Sequence, residues 1–191
     1  PFPALQGRHQ LTNAGGAIAA LRQTEGLSVS DEAIEEGLLT AKWPARMQRL
    51  KEGPLLAALP EGVELWLDGG HNPAAGRTIA QAFAEMNDRA PRPLYLICGM
   101  LSTKDATGFL AAFKDLAAMA VAVPIEGEAN ALTPGELAAA AQKAGLHGEE
   151  AQSLAAAMTR IAKSAQDGKT APRILICGSL YLAGQVLREH G

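Results

Sequence analysis

No stretch of this 191-residue sequence approaches the roughly 18 uninterrupted apolar residues of a membrane-spanning helix. Its N-terminus, PFPALQGRHQ, lacks a basic segment followed by an apolar one, so it does not read as a secretory signal. Cysteine is scarce: Cys98 and Cys177 are the only two, each inside an apolar run. Two such thiols make neither a disulfide framework nor a zinc site, and they fit a reducing compartment such as the cytoplasm. Charge of either sign is limited. The net charge of −3 removes a generic electrostatic case for nucleic acid or an anionic membrane as partner. There is no G-x-G-x-x-G, which weakens a nicotinamide-dehydrogenase reading, and no G-x-x-x-x-G-K-[ST]. Gly70 and Gly76 are separated by five residues and followed by Arg77-Thr78 rather than by Lys-Ser/Thr.

Alanine is what the chain has in plenty, 38 residues of it, within a hydrophobic fraction of 48%. Alanine favours helices and lets them pack closely. Thr12 to Arg22 places Ala14, Ala17, Ile18 and Leu21 on one helix face. Ser30 reads as the N-cap of a second short helix, with Asp31 and Glu32 in its first turn. Proline-rich sequence from Trp43 to Pro60 leaves room for a short strand near Met47–Leu50. Strands and helices then alternate. The strands are Val63–Asp68, Leu94–Cys98, Met119–Val123 and Ile174–Cys177. The helices are Pro73–Asn87, one carrying Phe109, Phe113 and Leu116, one opened by the capping box Thr133-Pro-Gly-Glu136, then Ser153–Ala165 and Leu180–Glu189. Continuous apolar strands are covered on both faces. The expected fold is therefore α/β, a doubly wound, mostly parallel Rossmann-like sheet with helices on each side. Such sheets bind ligands beyond the carboxyl ends of their strands.

Four groups of residues carry candidate chemistry there. In LDGGHNPAAG (Leu67–Gly76), Asp68 ends a strand and Asn72-Pro73 opens a helix. A carboxylate at that place can accept from ribose hydroxyls, and His71 and free backbone N–H groups can face phosphate oxygens. Equally, Asp68 can cap the turn and His71 can be a solvated loop residue. Arg46, in WPARMQRL, is either a phosphate- or purine-binding guanidinium on a stiff turn or a surface arginine. Asn13, in GRHQLTNA, reads by itself as a helix cap, with Arg8 and His9 as flexible terminus residues. Cys98 and Cys177 read as core thiols, and Lys104, Asp105 and Ser179 as cap or turn residues.

Taken in order along the chain, GRHQLTNA (7–14), PARMQRL (44–50), LDGGHNP (67–73), CGMLSTKD (98–105) and ICGSLYLAG (176–184) resemble the folylpolyglutamate synthase / dihydrofolate synthase family of Mur-ligase-like amide ligases. Only the C-terminal part of such an enzyme is matched, so Pro1 is expected to be a cut point. Residues 1–25 are then expected to be the tail helix of an absent ATPase domain, and residues 26–191 the C-terminal domain. Family members usually show Asp-x-Ala-His-Asn-Pro and Pro-Gly-Arg; Gly70 and Ala45 stand in place of the alanine and the glycine. The resemblance implies that Asn13, Arg46 and Asp68 contact the adenine and ribose side of ATP. His71 is implied near the phosphates or the incoming L-glutamate. It further implies ATP-dependent addition of L-glutamate to a folate or dihydropteroate carboxylate through an acyl phosphate. Mg²⁺ ligands and the P-loop would lie in the N-terminal ATPase domain, the chain's partner, and the chain alone would be inactive. A non-catalytic nucleotide-binding module is the competing expectation.

Overall fold

A computed structural model describes residues 1–165 and 170–190. Two helices come first, α1 (His9–Gln23) and α2 (Asp31–Thr40). The Ser30 hydroxyl caps α2 by accepting the Ala33 N–H. A short strand β1 (Gln48–Leu50), a helical turn α3 (Pro54–Ala57) and β2 (Glu64–Leu67) follow. Then come α4 (Pro73–Arg89), β3 (Leu94–Cys98), α5 (Ala106–Leu110) with a 3-10 turn (Ala111–Phe113), and β4 (Ala117–Ala122). The chain continues through α6 (Pro134–Lys143), β5 (Gly148–Glu150), α7 (Leu154–Ser164), β6 (Arg173–Cys177) and α8 (Leu180–His190). None of these helices is long and apolar enough to cross a membrane.

The six strands form one sheet in the order β1-β2-β6-β3-β4-β5. Every pairing is parallel except β1 with β2. The expected doubly wound sheet is therefore present, with an antiparallel edge. Side-chain alternation builds a core on each face. Leu96, Cys98, Leu175 and Cys177 point to one side, against Phe83 of α4 and Phe109 of α5. Tyr95, Ile97, Ile174 and Ile176 point to the other, against Met158 and Ile161 of α7 and Val186 of α8. Crossovers α4, α5 and α6 carry the chain outward along one face, and α7 brings it back along the other. Crossovers of a single hand require that arrangement.

Two expectations need correction. Phe109, Phe113 and Leu116 do not share one helix: α5 ends at Leu110, the 3-10 turn ends at Phe113, and Lys114 leaves the helical region with ψ 138°, followed by Asp115 at a positive φ of 65°. Strand β5, which the apolar pattern did not mark, is made by pairing with β4 at the sheet edge.

The parallel order fixes where a ligand can sit. The loops after β2 and β3 turn toward the α4/α5 face, whereas the loop after β6, lying between them, turns toward α8. Divergence of neighbouring loops opens a crevice at the strands' carboxyl ends.

Candidate functional site

Strand β2 delivers Asp68 to that edge, where its N–H bonds the Ile176 carbonyl of β6. The carboxylate is turned inward and is 4% exposed. Its Oδ2 accepts the Met47 N–H at 2.8 Å, and its Oδ1 accepts the Gly70 N–H at 2.7 Å. Burial pushes the Asp68 carboxyl above its ordinary range, while the two N–H bonds and the charges of Arg46 and His9 pull the other way. Of the two readings of Asp68, the structure shows the turn cap: each of its oxygens accepts from a backbone donor.

His71 stands differently. Half-buried, it places Nδ1 at 2.9 Å from the Gly69 carbonyl oxygen. An oxygen of that kind only accepts, so Nδ1 carries a proton and donates it. Asn72 next caps α4 by accepting the Ala75 N–H at 2.9 Å, with Pro73 at the first helical position. His71 lines a small cleft of about 160 Å³ with Leu101, Lys104, Gly178, Ser179 and Tyr181. Gly178 has φ +102°, and a Cβ there would lie 2.8 Å from the Gly99 carbonyl oxygen, so the floor of this cleft demands glycine. Ser179 and Asp105 keep their expected turn roles, the first accepting the Tyr181 N–H and the second capping α5.

Arg46 rides on a strained turn. Ala45 and Met47 on either side have φ of 54° and 42°, a left-handed conformation unusual for residues with side chains. Three bonds hold it: the Ala45 N–H to Gln48 Oε1 at 2.8 Å, the Gly69 N–H to the Ala45 carbonyl at 2.9 Å, and the Met47 N–H to Asp68. The exposed Arg46 faces a cleft of about 480 Å³ that Asn13 also lines, with walls from Ile18, Ile34 and Trp43. Asn13 is not a cap, since α1 begins at His9. The structure thus brings Asn13 and Arg46 together, sets His71 in a second cleft with no lining residue in common with theirs, and makes Asp68 the bracket between the Arg46 and His71 loops.

Sequence reasoning missed Gln10 and His9. Gln10 is 7% exposed, with Nε2 3.0 Å from His9 Nε2 and Oε1 accepting from Asn13 Nδ2 at 3.0 Å. The spacing of Gln10 and Asn13, three positions apart on a helix, was the available signal. Cys98 and Cys177 are 1% exposed neighbours in the sheet, with Sγ atoms 3.6 Å apart, and belong to the core as expected. Among the described residues, no three His, Cys, Asp or Glu side chains gather to hold a metal ion.

Comparison with known proteins gives a consistent picture. Residues 45–180 match the family described as Mur ligase, glutamate ligase domain. A dihydrofolate synthase/folylpolyglutamate synthase of Escherichia coli is 31% identical over 175 residues, covering 92% of this chain and 37% of that protein. A folylpolyglutamate synthase of Lacticaseibacillus casei is 29% identical over 95% of this chain and 38% of its own length. Among solved structures, Mycobacterium tuberculosis folylpolyglutamate synthase complexed with ADP and AMPPCP superimposes with a TM-score of 0.78 at 27% identity, covering 97% of this chain and 41% of that one. A bifunctional synthase of Yersinia pestis complexed with AMPPNP and Mn ion gives 0.75 at 29% identity over 98% and 40%. The chain therefore spans about two fifths of the length of these relatives.

Proposed function

The chain belongs to the Mur ligase glutamate-ligase domain family, and from that premise we propose that it serves as the C-terminal domain of an ATP-dependent folylpolyglutamate synthase / dihydrofolate synthase. Residues 26–191 would be this domain, and residues 1–25 the tail helix of an ATPase domain that carries the P-loop. The observation that carries the reading is the Asp68 bracket, which ties the Arg46 turn to the His71 loop at the carboxyl edge of the sheet. Relatives solved with ADP, AMPPCP or AMPPNP support a nucleotide as the ligand of that edge.

In this reading Asn13 and Arg46 hold the adenine and ribose side of ATP. Asn13 offers an amide and Arg46 a planar cation, against apolar walls that suit a purine ring. Asp68 acts chiefly by fixing the Arg46 turn. His71, oriented by its bond to the Gly69 carbonyl, lies near the phosphates or the glutamate. Lys104, in the same cleft, supplies positive charge. The substrate carboxylate would take the γ-phosphoryl group of ATP to give an acyl phosphate and ADP. The glutamate amine then forms the amide bond as phosphate leaves. Closure of this domain over the other would align the reactants and exclude water from the acyl phosphate. The magnesium would be held by groups outside the described residues, so no step here rests on it.

Two measurements test this. Mixed with ATP, L-glutamate and folate or dihydropteroate, the chain alone is expected to give no glutamylated product and to bind ATP weakly by calorimetry. Glutamylation by the chain alone would overturn the missing-domain argument. Unaided micromolar binding of ATP would favour the competing nucleotide-binding module.

A further inference from the structure

Strands β3 and β4 run parallel, yet the chain pairs once more beyond their ends, and there it pairs antiparallel. Leu101 faces Ala131. The Leu132 N–H donates to the Met100 carbonyl at 2.9 Å, and the Ser102 N–H donates to the Asn130 carbonyl at 2.8 Å. Such a ribbon requires one of the two segments to reverse. The reversal falls at Gly127, which takes φ +71°, and at Glu128. The Glu128 N–H donates to the Ile125 carbonyl at 3.3 Å, and its carbonyl accepts the Ala131 N–H at 3.2 Å. Its half-buried side chain closes the turn: Oε1 accepts the Asn130 N–H at 3.0 Å and Asn130 Nδ2 at 3.2 Å.

Glu128 therefore holds Asn130 with its carbonyl aimed at Ser102, and Ser102 belongs to the turn that delivers Lys104. That turn is closed by the Lys104 N–H, which donates to the Leu101 carbonyl at 3.1 Å. Lys104 lines the His71 cleft, and among the described residues no carboxylate lies within ion-pair distance of it. Its side chain is long and flexible, so the fold can place its charge in advance only by placing its backbone. The opposite wall of the cleft, Gly178–Tyr181, is tied to the same ribbon through α8. A Cβ on Gly99 would lie 3.3 Å from Leu182 of α8 and 3.0 Å from Ile125. The buried Gln185 of α8 accepts the Glu126 N–H at 3.4 Å.

We propose that Glu128 is a positioning residue for this cleft: through Asn130 and Ser102 it sets where Lys104 meets an anionic group of the substrates. That group is a carboxylate of L-glutamate or a phosphate oxygen. The ribbon uses Glu128 only as an acceptor, so a glutamine amide oxygen can take its place and the charge itself is dispensable. The inference rests on the ligase reading above.

Amide hydrogen exchange of the chain tests the ribbon without any ligand. Glu128→Ala is expected to speed exchange at Ser102 and Leu132 by about fivefold to tenfold, as one or two lost neutral hydrogen bonds allow. Glu128→Gln should keep wild-type protection. Steady-state kinetics then use the complete synthase carrying this domain. In Glu128→Ala, a KM for L-glutamate raised about fivefold with KM for ATP unchanged identifies the carboxylate as the anion. A kcat lowered by as much with both KM values held identifies the phosphate oxygen. In either case Glu128→Gln should behave as wild type, and Glu128→Ala should add nothing further in a Lys104→Met background. Unchanged exchange or unchanged kinetics in Glu128→Ala, a glutamine variant as impaired as alanine, or additive effects of the two substitutions each overturn the proposal. A ribbon that loosens as described in a synthase that forms no glutamylated product overturns the ligase reading instead.

Discussion

Replacing Asp68 by alanine removes the acceptor for two backbone N–H groups that belong to different loops. Each hydrogen bond to a charged group contributes about 1.5–3 kcal/mol, so the gross loss is about 3–6 kcal/mol. Part returns, because burial already works against the charged carboxylate. The net cost is then about 2–4 kcal/mol, or roughly 5–15 °C in Tm for a chain of this size. Asp68→Asn separates the bracket from the charge. The amide keeps one acceptor oxygen but turns its NH2 against the other backbone donor, so its Tm should fall nearly as far as that of alanine. The pH dependence carries a sign. A carboxyl whose native value lies above its ordinary 3.8 holds more protons in the folded state than in the unfolded one across that interval. Wild-type stability from this group therefore falls as pH rises through the interval, and the gap to Asp68→Ala is widest at its acid end. Thermal unfolding across a pH series checks both points. An Asp68→Asn protein as stable as wild type would refute the bracket, since relief of the buried charge would then be the larger effect.

Gly178→Ala should cost about 2–5 kcal/mol by denaturant unfolding, from left-handed backbone strain plus the close approach of its Cβ to Met100 and Gly99. Arg173→Met removes the buried partner, 2.8 Å away, of Glu64, which keeps Arg49 and Arg92 nearby. The loss should fall near the low end of the roughly 3–5 kcal/mol typical of a broken buried pair, again read from denaturant midpoints. Both cysteines should resist an aromatic disulfide reagent until the chain unfolds, because they are buried, and the bond to Cys98 together with burial pushes the Cys177 thiol up. Rapid labelling of the native protein would contradict that.

The parts of the fold legible in the sequence are those set by local chemistry. Leu94–Cys98 is an unbroken apolar run and forms a strand with those bounds. Thr133 and Glu136 form the capping box that their spacing announces, and Asn72-Pro73 starts a helix for the same kind of reason. Strand β5 was illegible because Gly-Glu-Glu has no strand character of its own; pairing with β4 creates it. The helix around Phe109 was over-extended because Phe113 keeps the apolar spacing through a 3-10 turn while Asp115 leaves it. The candidate site divides along the same line. Position at a strand end is local, so Asp68 and His71 could be placed at the sheet's carboxyl edge. Direction is not local: Asp68 turns inward because Met47, 21 residues earlier, brings an unpaired N–H to it on a left-handed turn. A buried carboxylate goes where backbone donors converge, and only the assembled sheet brings those donors together. The same reasoning recovers Gln10, whose burial is set by packing that no single segment of the chain displays.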